Sequence, residues 1–179
     1  MSTFTPLSYQ STDGLALYAR DYPAAAGPAR LPVVCLHGLT RNPADFDELA
    51  PQIASLGRRV IAPDVRGRGH SARDPNPDNY NPVVYAGDVV KLLHDLGIAR
   101  AVFIGTSMGG LITMTLAVRH LELIAGAVIN DVGPVLSVKG LARIAGYAGR
   151  CNTLASWDDA AAYLKDINAC AFPDAPDQE

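Results

Sequence analysis

The sequence has few cysteines, no surplus of positive charge and no apolar run long enough to cross a bilayer, and each lack removes a class of protein. Its three cysteines, Cys35, Cys151 and Cys170, form no paired spacing. That excludes a disulfide framework and a thiolate zinc site, and predicts free thiols in a reducing compartment. Fifteen Lys and Arg against eighteen Asp and Glu leave a net charge of −3, which offers no electrostatic footprint for nucleic acid or anionic lipid. The basic residues Arg58, Arg59, Arg66, Arg68 and Arg73 are interrupted by Asp64 and Asp74. Nothing approaches the roughly 20 apolar residues of a membrane span, and residues 1–6 lack the basic start and apolar run of a signal peptide. A cytoplasmic location is the expectation. Internal repeats, low-complexity tracts, phosphate-loop lysine patterns and metal-binding histidine pairs are also missing, so no cofactor and no metal are expected.

What is present suits an ordinary globular chain. Hydrophobic residues make up 49% of 179, enough to bury a core in one domain with or without a small appendage. Asp13-Gly14 marks a tight turn between residues 7–10 and an alternating stretch at 15–22, which predicts a hairpin. From there the rhythm is strand then helix. Continuous apolar runs at 31–36, 59–63, 101–104 and 123–129 predict strands covered on both faces. Helical spacing predicts helices from Asn42 or Asp45 through Leu56, from the end of a 67–81 loop through Leu96, and over 108–120. The last is apolar on nearly every side, which predicts an interior helix. After Asp131, Gly133-Pro134 breaks the rhythm. Two further helices are expected, over 135–147 and from Ser156, where Asp159 is a capping partner. The tail from Phe172 is polar and contains proline. The expected class is α/β, a three-layer sandwich around a mostly parallel sheet. The expected division is a core over 1–131 and a helical appendage over 132–179.

Chemistry concentrates at Gly105-Thr106-Ser107-Met108-Gly109, which lies where the strand at 101–104 turns into the next helix. A serine between two glycines in that context is a nucleophile elbow: the glycines permit a turn too tight for side chains, and the turn lifts the hydroxyl off the sheet. One competing motif fails. Gly67-Arg68-Gly69-His70-Ser71-Ala72 matches the dinucleotide fingerprint formally, but it should open a helix, and Pro75, Pro77 and Pro82 prevent one there.

Four features in order then resemble the α/β-hydrolase superfamily, in the serine branch whose helical cap follows the sixth strand. They are His37-Gly38 after the third strand, Asp64-x-Arg66-Gly67-x-Gly69-x-Ser71 after the fourth, the Ser107 elbow after the fifth, and Asn130-Asp131-x-Gly133-Pro134 entering the cap. Together they span most of the chain, which looks like the N-terminal part of such an enzyme, strands one to six plus the start of the cap. The resemblance implies Ser107 as nucleophile and an acyl-enzyme intermediate. It implies backbone N–H groups of Leu39 and Met108 as the oxyanion hole, with His37, Gly38, Gly105 and Gly109 shaping loop and elbow. In the superfamily the catalytic histidine follows an eighth strand that this sequence does not contain. His37 is expected to orient backbone, and His70, His94 and His120 to be structural or exposed. Asp131 is expected to make a structural hydrogen bond at the cap entrance, with triad acid as its second role, and Asp64 and Arg66 are expected to pair within their loop. A serine at 107 argues against the dehalogenase and epoxide-hydrolase branches.

The implied activity is hydrolysis of a small ester, lactone, thioester or carbon–carbon bond next to a carbonyl, with the isolated chain inactive for want of its base. The cap residues Leu141, Tyr147, Leu154, Trp157 and Tyr163 suggest an apolar acyl or ring group. Two alternatives stay open: a module that binds a small molecule without turnover, and an inactive fragment. The partners to consider are the small acyl substrate, a second polypeptide carrying the missing strands and histidine, or further copies of the chain. Neither nucleic acid nor a membrane is expected.

Overall fold

The computed structural model describes residues 4–149 and 153–169. Cys151, Cys170 and the tail from Phe172 lie outside them. Six strands form one sheet in the order β1-β2-β4-β3-β5-β6. β1 (Thr5–Gln10) and β2 (Ala16–Tyr22) are the predicted hairpin, and β2 pairs antiparallel with β4 (Val60–Pro63). β3 (Val33–Leu36), β5 (Ala101–Thr106) and β6 (Ile124–Asn130) continue the sheet in parallel. Gly14 at φ 84° supplies the hairpin turn, a conformation glycine adopts without penalty.

Alternation along the buried strands divides the core into two faces, since successive side chains point to opposite sides of a sheet. Val34, Leu36, Ala101 and Phe103 pack with α2 (Pro82–Asp95) and α3 (Met108–Arg119). Val33, Cys35, Val60 and Ala62 pack on the other face, with Ala50 and Ala54 of α1 (Leu49–Ser55). This is a three-layer sandwich. Every residue of β3 and β4 is buried, as continuous apolarity predicted. Burial also pushes the Cys35 thiol up to about 12, which leaves it an inert core residue.

Three expectations are corrected. The helix from Asn42 to Leu56 is two pieces, a 3₁₀ turn at Pro43–Phe46 and then α1. Asn42 caps only the first by accepting from Ala44 N–H. Pro51 has no N–H to give, so a helix cannot run far ahead of it, and Asp47 between the pieces accepts from Tyr22 Oη at 2.6 Å and from Arg20 on the sheet. The helix α3 is not buried all round. Met108, Ile112 and Leu116 form a buried stripe, while Val118 is 86% exposed. Finally, β6 is not a buried strand: it is a sheet edge, and Val128 is 53% exposed.

The chain divides into two compact units at Pro134/Val135. The second holds α4 (Val138–Tyr147) and α5 (Trp157–Asn168). Ser137 caps α4, and Ser156 caps α5 through the Asp159 N–H, the pairing foreseen from the sequence. Arg143 of α4 donates to the Ile167 carbonyl of α5 at 2.8 Å. Neither helix buries a residue, and Trp157 is 90% exposed. No helix among the described residues is long and apolar enough to cross a membrane.

Candidate active site

Ser107 sits between β5 and α3 with φ 52° and ψ −112°, a left-handed conformation that non-glycine residues rarely adopt. Such strain persists only where the surroundings over-determine it, and here both flanks do. The Ser107 N–H donates to the Asn130 carbonyl of β6 at 2.8 Å, and its carbonyl accepts from Leu111 N–H at 3.1 Å. The glycines are needed sterically. A Cβ on Gly105 would collide with the Gly109 backbone, and one on Gly109 with the Leu36 carbonyl, so α3 starts in direct contact with β3. The Ser107 hydroxyl caps nothing and makes no hydrogen bond among the described residues.

The segment after β3 lies against this serine. A Cβ built on Gly38 would stand 3.9 Å from Ser107 Cβ. His37 is fully buried and holds the loop: its Nε2 accepts from Val65 N–H at 3.1 Å, which leaves the proton on Nδ1 to be donated to the Gly38 carbonyl at 2.7 Å. Both ring nitrogens are thereby committed. Burial lowers the His37 pKa from its ordinary value, and the imidazole stays neutral. The Gly38 carbonyl also accepts from Arg41 N–H. In a trans peptide the next N–H points away from that carbonyl. It belongs to Leu39 and has no partner among the described residues. Met108 opens α3, and a first-turn N–H has no intrahelical acceptor. Two free backbone donors, on Leu39 and Met108, thus flank a serine whose hydroxyl is unengaged. Such an arrangement can hold an oxygen that gains negative charge.

The other histidines are distributed differently. His70 is exposed and packs its ring on Tyr18 with centroids 4.8 Å apart. His94 is on α2 beside Asp95, and His120 ends α3 beside Glu122. Neither is hydrogen-bonded to Ser107. Asp131 has φ 55° and is exposed. The structural hydrogen bond expected of its carboxylate is absent among the described residues; what ties this corner to the elbow is the backbone carbonyl of its neighbour Asn130.

Asp64 and Arg66 do not pair, contrary to expectation. The chain turns just beyond them at Gly67 and Gly69, and the two side chains serve different structures. The Asp64 carboxylate accepts from His70 N–H at 2.8 Å and fills the space a Cβ on Gly69 would need. Arg66 is buried and reaches Asp13 of the hairpin turn at 2.9 Å, Asp74 at 2.5 Å and Asp88 of α2 at 2.6 Å. The Arg66 hydrogen bond holds the Asp13 carboxyl down to about 2.

Sequence reasoning missed three contributors: the Val65 N–H that fixes the His37 tautomer, the Asn130 carbonyl that anchors Ser107, and the Arg68 guanidinium. The first two are backbone groups with no side-chain signature. The third has one, an arginine between Gly67 and Gly69, but its sequence neighbours do not name its partners.

Comparison with known proteins identifies the fold family. Residues 32–163 match the family model described as alpha/beta hydrolase fold. The chain is 37% identical over 146 residues to a 3-hydroxybutyrate-oligomer hydrolase of Cupriavidus necator, covering 82% of this chain and 50% of that protein. It is 35% identical over 133 residues to the sn-1-specific diacylglycerol lipase ABHD11 of Xenopus tropicalis, covering 74% of this chain and 37% of that one. The chain therefore spans half or less of the length of these relatives. Among solved structures, an alpha/beta hydrolase from Novosphingobium aromaticivorans superposes with a TM-score of 0.91 at 43% identity, over 99% of this chain and 61% of that one.

Proposed function

Because this chain belongs to the α/β-hydrolase fold family, we propose that it carries the nucleophile half of a serine hydrolase acting on a small ester, lactone, thioester or carbon–carbon bond next to a carbonyl. The carrying observation is Ser107 itself, strained at φ 52° with its hydroxyl free, beside two free backbone donors. In the proposed reaction a base takes the Ser107 proton as Oγ attacks the carbonyl carbon. The oxygen becomes an oxyanion held by Leu39 and Met108 N–H, the leaving group departs with the proton, and water releases the acyl group by the same route. Each oxyanion donor is worth about 3 kcal/mol in the transition state. The names of the two relatives, an oligomer hydrolase and a lipase, both support ester cleavage.

The base is assigned outside the described residues, since His37 is committed to the loop and the remaining described imidazoles do not engage Ser107. Asp131, one residue beyond the Asn130 anchor, is the candidate acid. General-base assistance contributes about 10²-fold or more, so the 179-residue chain by itself is expected to acylate at least that much more slowly than the protein with its base. The test is acylation by 4-nitrophenyl acetate followed by peptide mass spectrometry, on this chain and on protein made from the natural gene. An acetyl group on the Ser107 peptide, absent from Ser107→Ala, supports the reading. An adduct elsewhere, or hydrolysis that survives Ser107→Ala, overturns it. Binding of a small acyl compound with no acylation in either preparation favours the second reading, a pocket without turnover.

A further inference from the structure

Arg68 lies in the loop after β4 and contacts both residues that carry the free donors. Its Nε donates to the Leu39 carbonyl at 3.2 Å, and its Nη2 approaches Met108 Sδ at 3.8 Å. Nη1 donates to the Arg66 carbonyl at 2.9 Å and to Tyr85 Oη at 3.1 Å. The guanidinium lies over the rings of Tyr80 and Tyr85, 5.7 and 5.4 Å from their centroids. All these partners are neutral: among the described residues no carboxylate pairs with Arg68, whereas Arg66 two positions earlier has three.

We propose that Arg68 is a positioning residue of the Ser107 site, clamping the oxyanion loop through the Leu39 carbonyl; this rests on the reading of Leu39 N–H as an oxyanion donor. His37 holds the Gly38 carbonyl from inside the sheet, and Arg68 holds the next carbonyl from the other loop. With successive carbonyls fixed, the peptide between them cannot rotate, and the Leu39 N–H keeps its direction. An arginine suits this task because its planar fork presents five donors in fixed relation, and four separate groups share them here. The anchor is itself braced, since Tyr85 belongs to the buried core and Arg66 is tied to the hairpin and α2. The loop is thus referenced to rigid elements on both sides rather than to solvent.

The test compares Arg68→Met and Arg68→Lys in the 179-residue chain. Lysine keeps the charge but lacks the planar fork that bridges separate acceptors. Backbone order parameters by ¹⁵N relaxation are expected to fall at Leu39 from about 0.85 to below about 0.6 in both variants, while Ile61 and Phe103 stay unchanged. Acylation of Ser107 by 4-nitrophenyl acetate is expected to slow about 10- to 100-fold in its rate constant, with the ester's apparent affinity unaltered. An unchanged Leu39 order parameter overturns the clamp, and so does a loosened Leu39 with undiminished acylation. If Arg68→Met loosens Phe103 as well, its fold is compromised and Arg68→Lys decides. If neither this chain nor the protein made from the natural gene is acylated at Ser107, the underlying reading fails, and the order parameters alone judge the clamp.

Discussion

Ser107, Gly109 and His37 carry the local geometry of the candidate site, each through one constraint. Alanine at 109 would drive a methyl group into the Leu36 carbonyl. The carbonyl belongs to β3 in the central sheet and the methyl would be fixed to the first turn of α3, so neither can step aside. Gly109→Ala is expected to cost about 3 kcal/mol, measured as a lower urea midpoint, whereas Gly87→Ala, where a Cβ meets nothing, should be neutral or stabilising. His37 predicts a pH dependence. Burial lowers its folded pKa below the unfolded value near 6.5, so the unfolded chain binds that proton first. The stabilisation is therefore complete above about pH 6.5 and is lost as pH falls through the folded value. Urea midpoints at pH 7.5 and pH 5 should show the decline, and His37→Gln should flatten it while lowering the plateau. A wild-type midpoint that does not change over that interval would contradict the neutral, doubly bonded imidazole. Of these three residues, the serine and the glycine were legible in the sequence because a tight turn restricts residue type. The tautomer of His37 was not, because it depends on the Val65 N–H from the loop after β4.

Among elements, the loop after β4 is the joint that relates hairpin, sheet and α2. Arg66 sits at its centre, bonded to Asp13, Asp74 and Asp88. Removing one partner of a buried ion pair leaves charge uncompensated, at about 3 to 5 kcal/mol. Arg66→Leu is therefore expected to be severely destabilising by urea titration, and the double variant with Asp88→Leu to recover part of the loss. If both variants unfold at the wild-type midpoint, the cluster contributes nothing. Asp13 adds an acid limb: with its carboxyl held to about 2, its contribution is present above about pH 4 and disappears as pH falls toward 2. The sequence pattern identified this loop as part of the site but paired the wrong residues. Asp64 and Arg66 are two apart and of opposite charge, yet the first turns toward Gly69 and His70 and the second toward α2. Which neighbour a charged side chain meets is set by packing, not by proximity along the chain.

At the scale of the molecule, the two sheet edges differ in kind. β1 exposes Thr5, Pro6, Ser8 and Gln10, and polar residues with a proline discourage further strand pairing. β6 exposes Ala127 and Val128 along an edge with no blocking charge. The 179-residue chain is expected to self-associate through that edge. Val128→Lys should shift light scattering toward the monomer without lowering the melting midpoint; an equal association state in both proteins would refute this. The boundary at Pro134/Val135 also makes a prediction. Residues 1–134 contain the three-layer core and are expected to unfold cooperatively by themselves, with an m-value reduced only in proportion to the surface removed.

Periodicity and residue spacing in the sequence determined the strand order along the chain, the hairpin, the elbow and the Ser156 cap of the last helix. These are local consequences of side-chain alternation, helical repeat and steric exclusion. The tertiary structure decided which of those elements are buried, splitting the predicted first helix at Asp47 and leaving β6 an edge. It also decided which backbone groups remain free. Among the described residues Leu39 and Met108 N–H are unpartnered because of where the β3 loop and α3 meet Ser107, and Arg68 and His37 both hold the β3 loop. Such facts depend on groups brought together from separate loops and a helix, and no window along the chain contains them.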